Sequence, residues 1–130
     1  MARHNEIGRL GEDLAKKFLI GQGFSFIEKN FSCRLGEIDL IFKKGDSLRF
    51  VEVKSVYADR GLLDFSYLKV QPEENLTKDK FNKIVKTINF YKQVRSISQE
   101  TPWYIDLVCV YIDTETREAK IRLYQHITLN

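Results

Sequence analysis

Four ionisable side chains stand at alternate positions on the two sides of a short turn. Glu37 and Asp39 precede the pair Gly45-Asp46, and Glu52 and Lys54 follow it. A two-residue type II′ loop suits this pair, because glycine tolerates the positive φ that the first central position requires. The loop predicts a β-hairpin in which Asp39 lies opposite Glu52 and Glu37 lies opposite Lys54. Since side chains alternate along a strand, all four would emerge on one face.

Two carboxylates that face each other across a hairpin need a compensating positive charge. Their Cβ atoms would lie about 4.5–5.5 Å apart, where like charges destabilise a sheet. Either Lys54 forms a structural ion pair, or a divalent cation bridges Asp39 and Glu52. Magnesium fits the second alternative, because one or two carboxylates hold it together with water and substrate phosphates. Lys54 could then orient an attacking water or neutralise charge that develops on a phosphate. The residues alone leave both alternatives open.

The apolar residues of the same hairpin predict its buried face. Ile38, Leu40, Val51 and Val53 occupy the positions between the charged ones. This alternation is typical of a sheet that packs one face against a core. We therefore expect these four side chains to share one side of the hairpin.

The segment from Asn5 to Gln22 predicts a helix that ends at Gly23. Apolar residues recur along it at helical spacing and predict a buried stripe: Ile7, Leu10, Leu14 and Phe18. A flank of small residues could let another backbone approach closely: Gly8, Gly11 and Ala15. Glu12 lies on this flank, roughly opposite the apolar stripe.

Positive charge is concentrated between Thr77 and Ser98. Six basic residues stand there against the single acid Asp79: Lys78, Lys80, Lys83, Lys86, Lys92 and Arg95. Thr77 can cap a helix with a predicted inner face of Phe81, Ile84, Val85, Ile88 and Tyr91. The charge is compatible with a solvated helix face or with a phosphate-binding surface that includes Lys80 and Lys83.

The remaining elements complete an α/β domain. Predicted strands cover Phe24–Phe31, Glu37–Phe42, Leu48–Lys54, Trp103–Ile112 and Lys120–Leu129, and Tyr57–Asn75 reads as an irregular connection. The resulting order, α-β-β-β-α-β-β, predicts a mixed central sheet flanked by helices. We expect residues 1–130 to form one domain.

Composition excludes several other classes of protein. The 130 residues are 43% hydrophobic and 30% charged, which is neither a disordered nor a fibrous composition. No apolar run approaches the ~18 residues of a membrane span, and no secretory signal is visible, so we expect a cytoplasmic protein that does not contact membranes. Cys33 and Cys109 lack the spacing of a zinc site or a disulfide framework. The net charge of +3 does not by itself identify a nucleic-acid-binding protein.

Three motifs in the first 54 residues resemble a known family. They are Gly8-x-x-Gly11-Glu12-x-x-Ala15, Gly36-Glu37-Ile38-Asp39-Leu40-Ile41 and Phe50-Val51-Glu52-Val53-Lys54. Asp39 followed by Glu52-Val53-Lys54 looks like the PD-(D/E)xK signature of restriction-endonuclease-like nucleases. Together the motifs resemble the YraN-like family of predicted bacterial endonucleases, which are relatives of archaeal Holliday-junction resolvases. The resemblance implies a restriction-endonuclease-like fold.

The resemblance also implies roles for individual residues. Asp39 and Glu52 would be metal ligands for Mg²⁺ or Mn²⁺, with Lys54 as the catalytic lysine. Glu12 resembles the helical acid that faces the site in many members of the superfamily. Glu37 would support the ligands or pair with Lys54.

Two further positions match the family pattern more weakly. Lys80 resembles a basic residue that could contact phosphate. Asp106 matches an acid that bonds equally well to backbone or to a neighbouring arginine, and we do not expect it to be catalytic.

Two functions follow from these expectations. The first is metal-dependent hydrolysis of phosphodiester bonds in DNA rather than RNA, on branched or otherwise structured substrates. The second is a non-catalytic protein that retains the nuclease fold and binds nucleic acid or a protein partner. An intact acid pair favours the enzyme, because a pure binder of a polyanion has no need of clustered carboxylates. A homodimer is compatible with either function.

Overall fold

The elements occur in the order predicted from the sequence. The computed structural model describes residues 2–58 and 76–128. Its elements are α1 (Ala2–Gly21), β1 (Ser25–Cys33), β2 (Gly36–Lys44), β3 (Ser47–Ala58), α2 (Lys78–Val94), β4 (Trp103–Asp113) and β5 (Ala119–Tyr124). The α-β-β-β-α-β-β order and the mixed sheet are therefore confirmed. The last strand ends at Tyr124 rather than at Leu129, and most of the predicted irregular connection, from residue 59 onward, lies outside the described residues.

The five strands form one sheet in the order β1-β2-β3-β4-β5. Neighbouring strands are antiparallel except for β3 and β4, which run parallel from Leu48 opposite Trp103 to Ala58 opposite Asp113. The chain between these two strands contains α2, as a parallel crossover requires. In the described ranges, no helix is long and apolar enough to span a membrane.

The turn between β2 and β3 sets the register predicted from Gly45-Asp46. Gly45 has a φ of 61°, as the first central position of a type II′ loop requires, and Ile41 pairs with Phe50. The pairing ends with Leu40 opposite Val51. The predicted pairs of Asp39 with Glu52 and of Glu37 with Lys54 are therefore not part of the ladder.

Each face of the sheet packs against one helix. On β3, Val51 belongs to the core cluster that includes Ala15 and Leu19 of α1, whereas Phe50 belongs to the cluster that includes Ile84 and Ile88 of α2. Adjacent residues of β3 thus face opposite cores, and the middle of the sheet is buried on both sides.

Ile38 corrects one prediction about the buried face of the hairpin. It packs in the α2-side cluster, whereas Leu40 and Val51 pack in the α1-side cluster. Strict alternation would place Ile38 with Leu40. The alternation fails where β2 leaves its ladder with β3, and the neighbouring Asn30 of β1 has a φ of 54° at the same level.

The C-terminus of α1 explains why the helix stops near Gly23. The Phe24 N–H donates to the Leu19 carbonyl at 3.0 Å, and the Gly23 N–H donates to the Ile20 carbonyl at 3.1 Å. Gly23 has a φ of 92°. These bonds form a Schellman motif, in which a glycine in the left-handed region closes the helix. Phe24 and Leu19 pack in the same core cluster.

The buried stripe of α1 is rotated by one position from the prediction. Ala15 and Leu19 are fully buried, whereas the predicted Leu10, Leu14 and Phe18 are only partly buried at the edge of the cluster. The small-residue flank, and not the large apolar one, therefore faces the sheet most closely, because small side chains let the helix backbone come near β3.

Two glycines of α1 provide a matched test of this close approach. A Cβ at Gly11 would overlap Ser55 Oγ of β3, whereas a Cβ at Gly8 would meet no atom of the described residues. We expect Gly8→Ala to stabilise the protein by up to about 1 kcal/mol through helix propensity. Gly11→Ala gains the same propensity but should be net destabilising, because overpacking typically costs about 1–3 kcal/mol. Urea unfolding of the two variants measures the difference, and equal stabilisation would contradict the close approach.

Candidate active site

Asp39 and Glu52 each accept a hydrogen bond from the backbone of the neighbouring strand, at the point where β2 and β3 separate. The Asp39 Oδ2 accepts a hydrogen bond of 2.8 Å from the Val53 backbone N–H. The Asp39 backbone N–H in turn donates to the Glu52 carboxylate. These bonds satisfy backbone N–H groups that have no partner in the ladder at this point. Both carboxylates are therefore held in position by the main chain of the neighbouring strand.

Both acids open into a cavity of about 300 Å³ between the sheet and α2. Its described lining residues are Gly36, Glu37, Asp39, Glu52, Lys80, Lys83 and Ile84. Acidic side chains come from the two strands, and basic side chains come from the first turns of the helix. We refer to these seven residues as the acid cavity. It contains every predicted site residue except Glu12 and Lys54.

Gly36 lets α2 approach this end of β2. A Cβ at Gly36 would lie 2.8 Å from Thr87 Oγ1 and 3.7 Å from the Lys83 carbonyl oxygen. The Thr87 hydroxyl is buried and donates to that same carbonyl at 2.8 Å. A larger residue at Gly36 would push the helix outward. The glycine in the Gly36-Glu37-Ile38-Asp39 motif thus sets the width of the acid cavity.

Burial dominates the electrostatics of the two acids. The pKa of Glu52 is raised from its ordinary 4.5 to about 8, chiefly by burial and in part by the charge of the neighbouring Asp39. The pKa of Asp39 is also raised by burial, although the hydrogen bond from Val53 opposes this shift. Lys80 lowers the pKa of both acids. Ionisation of the two carboxylates is therefore unfavourable in free energy, and a nearby cation makes it less so.

Glu12 approaches the acids from α1, on the other side of the sheet. Burial raises its pKa, and the charges of Asp39 and Glu37 raise it further. These electrostatic interactions indicate that Glu12 lies near Asp39 and Glu37, where the strands separate. Glu12 of α1 thus interacts electrostatically with Glu37 and Asp39 of β2.

The acid pair could hold a divalent cation that needs only one or two ligands from the protein. Within residues 2–58 and 76–128, no three His, Cys, Asp or Glu side chains are arranged to hold a metal ion by themselves. Magnesium requires only one or two carboxylates, with water and phosphate oxygens completing its shell. In the same described ranges, Glu52 Oε1 is buried and accepts no hydrogen bond. Such an oxygen is costly to leave unsatisfied, and a cation in the acid cavity would satisfy it.

Lys54 is not among the described residues that line the acid cavity. It is exposed on β3, where its neighbour on β4 is Cys109. Burial raises the pKa of the Cys109 thiol to about 11, and the charge of Lys54 lowers it. The described lining of the acid cavity includes Lys80 and Lys83 but not Lys54. Among the described residues Lys54 forms no ion pair with Glu37, although the hairpin register predicted that these two residues pair.

The basic segment of α2 divides into two parts. Lys78, Lys80, Lys83 and Lys86 are exposed. Lys92 is only 3% exposed, and the Arg95 guanidinium donates to the Glu28 carboxylate at 2.9 and 3.0 Å. Exposed positive charge is thus concentrated at the N-terminal end of the helix, beside the acid cavity.

Asp106 bonds both to backbone and to a neighbouring arginine, which were the two partners considered from the sequence. It is fully buried, and its Oδ1 accepts a hydrogen bond of 3.0 Å from the His126 backbone N–H. Its Oδ2 lies 3.5 Å from Nε of Arg49, which is 3% exposed and donates to Gln125 Oε1 at 3.0 Å. The sequence analysis did not identify Arg49. The only signal was a charged residue within the apolar run Leu48-Arg49-Phe50-Val51.

Comparison with known proteins places this arrangement in a family. A sequence model of the Uncharacterised protein family UPF0102 matches residues 11–110. A UPF0102 protein of Campylobacter fetus subsp. fetus (strain 82-40) is 36% identical over 121 residues, which cover 93% of this chain and 92% of the relative. A UPF0102 protein of Campylobacter jejuni subsp. jejuni (strain 81-176) is 42% identical over 106 residues, covering 82% and 84%.

A relative from another genus also belongs to this family. A UPF0102 protein of Clostridium botulinum (strain Loch Maree) is 31% identical over 123 residues, covering 95% of this chain and 94% of the relative. The range matched by the family model includes Glu12, Asp39, Glu52 and Lys80. The YraN-like resemblance is confirmed at the level of the family. The chain belongs to the UPF0102 family.

Proposed function

We propose that this protein is a metal-dependent nuclease that hydrolyses phosphodiester bonds in DNA, with the acid cavity as its active site. The observation that carries the proposal is the half-buried pair of Asp39 and Glu52, in which the buried Glu52 Oε1 accepts no hydrogen bond from the residues that the structure describes. Two adjacent carboxylates that are partly shielded from water destabilise a fold unless they have a function or a counter-charge. The resemblance to PD-(D/E)xK nucleases supports the same assignment.

Asp39 and Glu52 would hold Mg²⁺ or Mn²⁺ between their carboxylates. When bound, the ion would supply Lewis-acid polarisation of the phosphoryl oxygens. The backbone bonds from Val53 and Asp39 fix the two carboxylates in place before substrate arrives. Such preorganisation avoids reorientation of the ligands during the reaction.

The remaining residues act on the substrate and on the ligands. Glu37 and Glu12 add negative charge around Asp39 and favour a cation there. Lys80 and Lys83 line the opposite wall, where ammonium groups attract a phosphate by charge. The reaction adds water across one phosphorus–oxygen bond and leaves a phosphomonoester and a sugar hydroxyl.

A cleavage assay tests this function directly. Linear, flapped and four-way DNA, and a matched RNA duplex, are incubated with the protein in Mg²⁺, Mn²⁺ or EDTA. We expect metal-dependent cleavage of the branched DNAs and none in EDTA. DNA binding without cleavage in either metal would instead favour the non-catalytic binding protein.

Metal binding can be measured without a substrate. We expect Mn²⁺ to stabilise the protein by about 2.7 kcal/mol when it is present at roughly 100 times its Kd, which raises the Tm by several degrees. Asp39→Asn should lose this response, while its amide oxygen still accepts the Val53 N–H. Asp46→Asn, at the exposed turn of the same hairpin, is the matched control. Equal Mn²⁺ responses in the two variants would remove Asp39 from the metal site.

A further inference from the structure

We infer that an aromatic pocket beside the acid cavity binds an unpaired base of the DNA substrate, so that the enzyme acts on single-stranded or splayed segments. The inference rests on the proposed nuclease function and names the substrate of that site more closely. The pocket has a volume of about 280 Å³. Its described lining includes four side chains with aromatic rings and two aliphatic ones: Phe81, Trp103, Tyr104, His126, Ile105 and Ile127. We refer to these six residues as the aromatic pocket.

The aromatic pocket and the acid cavity both lie beside the first turns of α2. Lys80 lines the acid cavity, and the next residue, Phe81, lines the aromatic pocket. On the sheet, Phe50 of β3 pairs with Ile105 of β4, and Glu52 lies two residues farther along β3. A rise of about 3.3 Å per residue and a strand spacing of about 4.8 Å place the Cα atoms of Ile105 and Glu52 about 8 Å apart. A single strand with a phosphate in the acid cavity can therefore extend into the aromatic pocket.

One wall of the aromatic pocket is a fixed stack of two exposed rings. Tyr104 is 39% exposed, and its ring centroid lies 4.1 Å from that of His126 with an angle of 21° between the planes. The Arg49 guanidinium lies 5.2 Å from the Tyr104 ring, and the buried Asp106 accepts the His126 backbone N–H at 3.0 Å. Both rings are thus held in place before a ligand binds, which lowers the entropic cost of stacking.

The charge next to the aromatic pocket favours a single-stranded nucleic acid as its ligand. Lys78, Lys80 and Lys83 are exposed on the first turns of α2, where Asp79 is the only acid, and exposed lysines attract phosphates. Aromatic rings bind any base, because every base has a π-face. The bases of a paired duplex reach such a pocket only after unstacking, and an apolar peptide would not use the lysines. An unpaired segment uses both features.

The fluorescence of Trp103 tests the inference without cleavage. Trp103 is the single tryptophan of the chain and lines the aromatic pocket, so a base that stacks there should quench its emission. The full-length protein is titrated at low salt in EDTA with oligothymidylate and with an abasic oligodeoxynucleotide of the same length. The two ligands have the same backbone phosphates and differ in the bases.

We expect oligothymidylate to quench Trp103 and to bind about tenfold more tightly than the abasic chain. Phe81→Leu and Tyr104→Leu each remove a ring and keep apolar bulk, so each should lose most of this preference. Their affinity for the abasic chain should stay within about threefold of the wild type, because the phosphate contacts are unchanged. Tyr104→Phe keeps the ring and should keep the preference.

Phe90→Leu is the matched control. Phe90 lies on α2, is 39% exposed like Tyr104, and is not among the described residues that line the aromatic pocket. Its variant should bind both oligonucleotides as the wild type does. Phe81 is partly buried against the α2-side core, whereas Tyr104 is exposed, so Tyr104→Leu decides the test if Phe81→Leu does not fold.

A second measurement connects the aromatic pocket with the proposed reaction. Single-turnover cleavage in Mg²⁺, at protein concentrations below saturation, compares flapped DNA with the same DNA after removal of the unpaired bases. The wild type should cleave the intact flap about tenfold faster than the abasic flap. Tyr104→Leu should cleave the two substrates at similar rates.

Contrary outcomes are distinguishable. Equal affinity of the wild type for both oligonucleotides, without quenching of Trp103, would overturn the inference and leave a nuclease that cleaves flapped DNA intact. A preference that survives in Tyr104→Leu and Phe81→Leu would overturn it as well. A changed oligomeric state of Tyr104→Leu with unchanged DNA binding would instead assign the aromatic pocket to a contact between copies of the chain. Base-dependent binding by a wild type that cleaves no DNA would refute the nuclease and retain the base-binding pocket.

Discussion

Glu52→Gln is expected to abolish metal-dependent cleavage and, at the same time, to stabilise the metal-free protein at pH 8. Loss of the carboxylate removes a proposed metal ligand, and we expect the cleavage rate to fall by roughly a hundredfold or more. The glutamine keeps the size of the side chain and an oxygen that can accept the Asp39 N–H. Burial of a charge no longer opposes folding.

The sign of the pH dependence follows from the raised pKa of Glu52, about 8 in the folded protein against an ordinary 4.5. Between these values the folded state keeps a proton that the unfolded state releases. The contribution of Glu52 to stability is therefore complete below pH 4.5 and is lost as the pH rises to about 8. Each unit of pKa difference corresponds to about 1.4 kcal/mol.

Urea unfolding in EDTA from pH 5 to pH 9 measures this effect. The stability of Glu52→Gln relative to the wild type should increase with pH and level off above pH 8. Asp46→Asn, at the exposed turn of the same hairpin, is the control and should follow the wild-type curve. Parallel curves for Glu52→Gln and the wild type would show that Glu52 is not buried as a charge.

The buried ion pair between Arg49 and Asp106 should give the largest loss of stability. Arg49→Met leaves a fully buried carboxylate whose one remaining partner among the described residues is the His126 N–H. Removing one member of a buried pair typically costs about 3–5 kcal/mol, because the other charge stays in the interior. Asp106→Asn should have a similar cost, since the Arg49 guanidinium then loses its counter-charge.

A double variant measures the interaction energy between Arg49 and Asp106 separately from the contribution of each residue alone. Arg49→Met with Asp106→Asn removes both charges and keeps an oxygen for the His126 N–H. We expect it to be clearly more stable than the sum of the single effects predicts. Urea unfolding of the four proteins completes the cycle, and additive losses would contradict a coupled ion pair.

The turn and helix signals carried most of the fold prediction. Gly45-Asp46 determined the register of the β2–β3 hairpin, because a two-residue loop with a positive φ allows only one pairing near the turn. Gly23 likewise marked the end of α1, and Thr77 marked the start of α2. These are local features, and local features can be identified from a sequence alone.

The site could be predicted only in part, because its remaining features depend on contacts between distant segments. The strands part at Asp39, where side chains bond to backbone, and the face of Ile38 follows from this separation. The place of Lys80 depends on how closely α2 approaches Gly36. Strand alternation and helical spacing predict neither the separation of the strands nor the approach of α2, since both patterns assume regular elements.

The parallel pairing of β3 with β4 bears on the order in which the protein is built on the ribosome. The hairpin that carries Asp39 and Glu52 is complete before Lys80 is synthesised, and β4 follows later still. A hairpin closes a short loop, whereas β4 must pair across the whole intervening chain and pays more loop-closure entropy. We expect the nascent hairpin to hold its acids in water, with ordinary acidity. Only the later arrival of α2 then encloses them, so the chemistry of the site is acquired in the second half of synthesis.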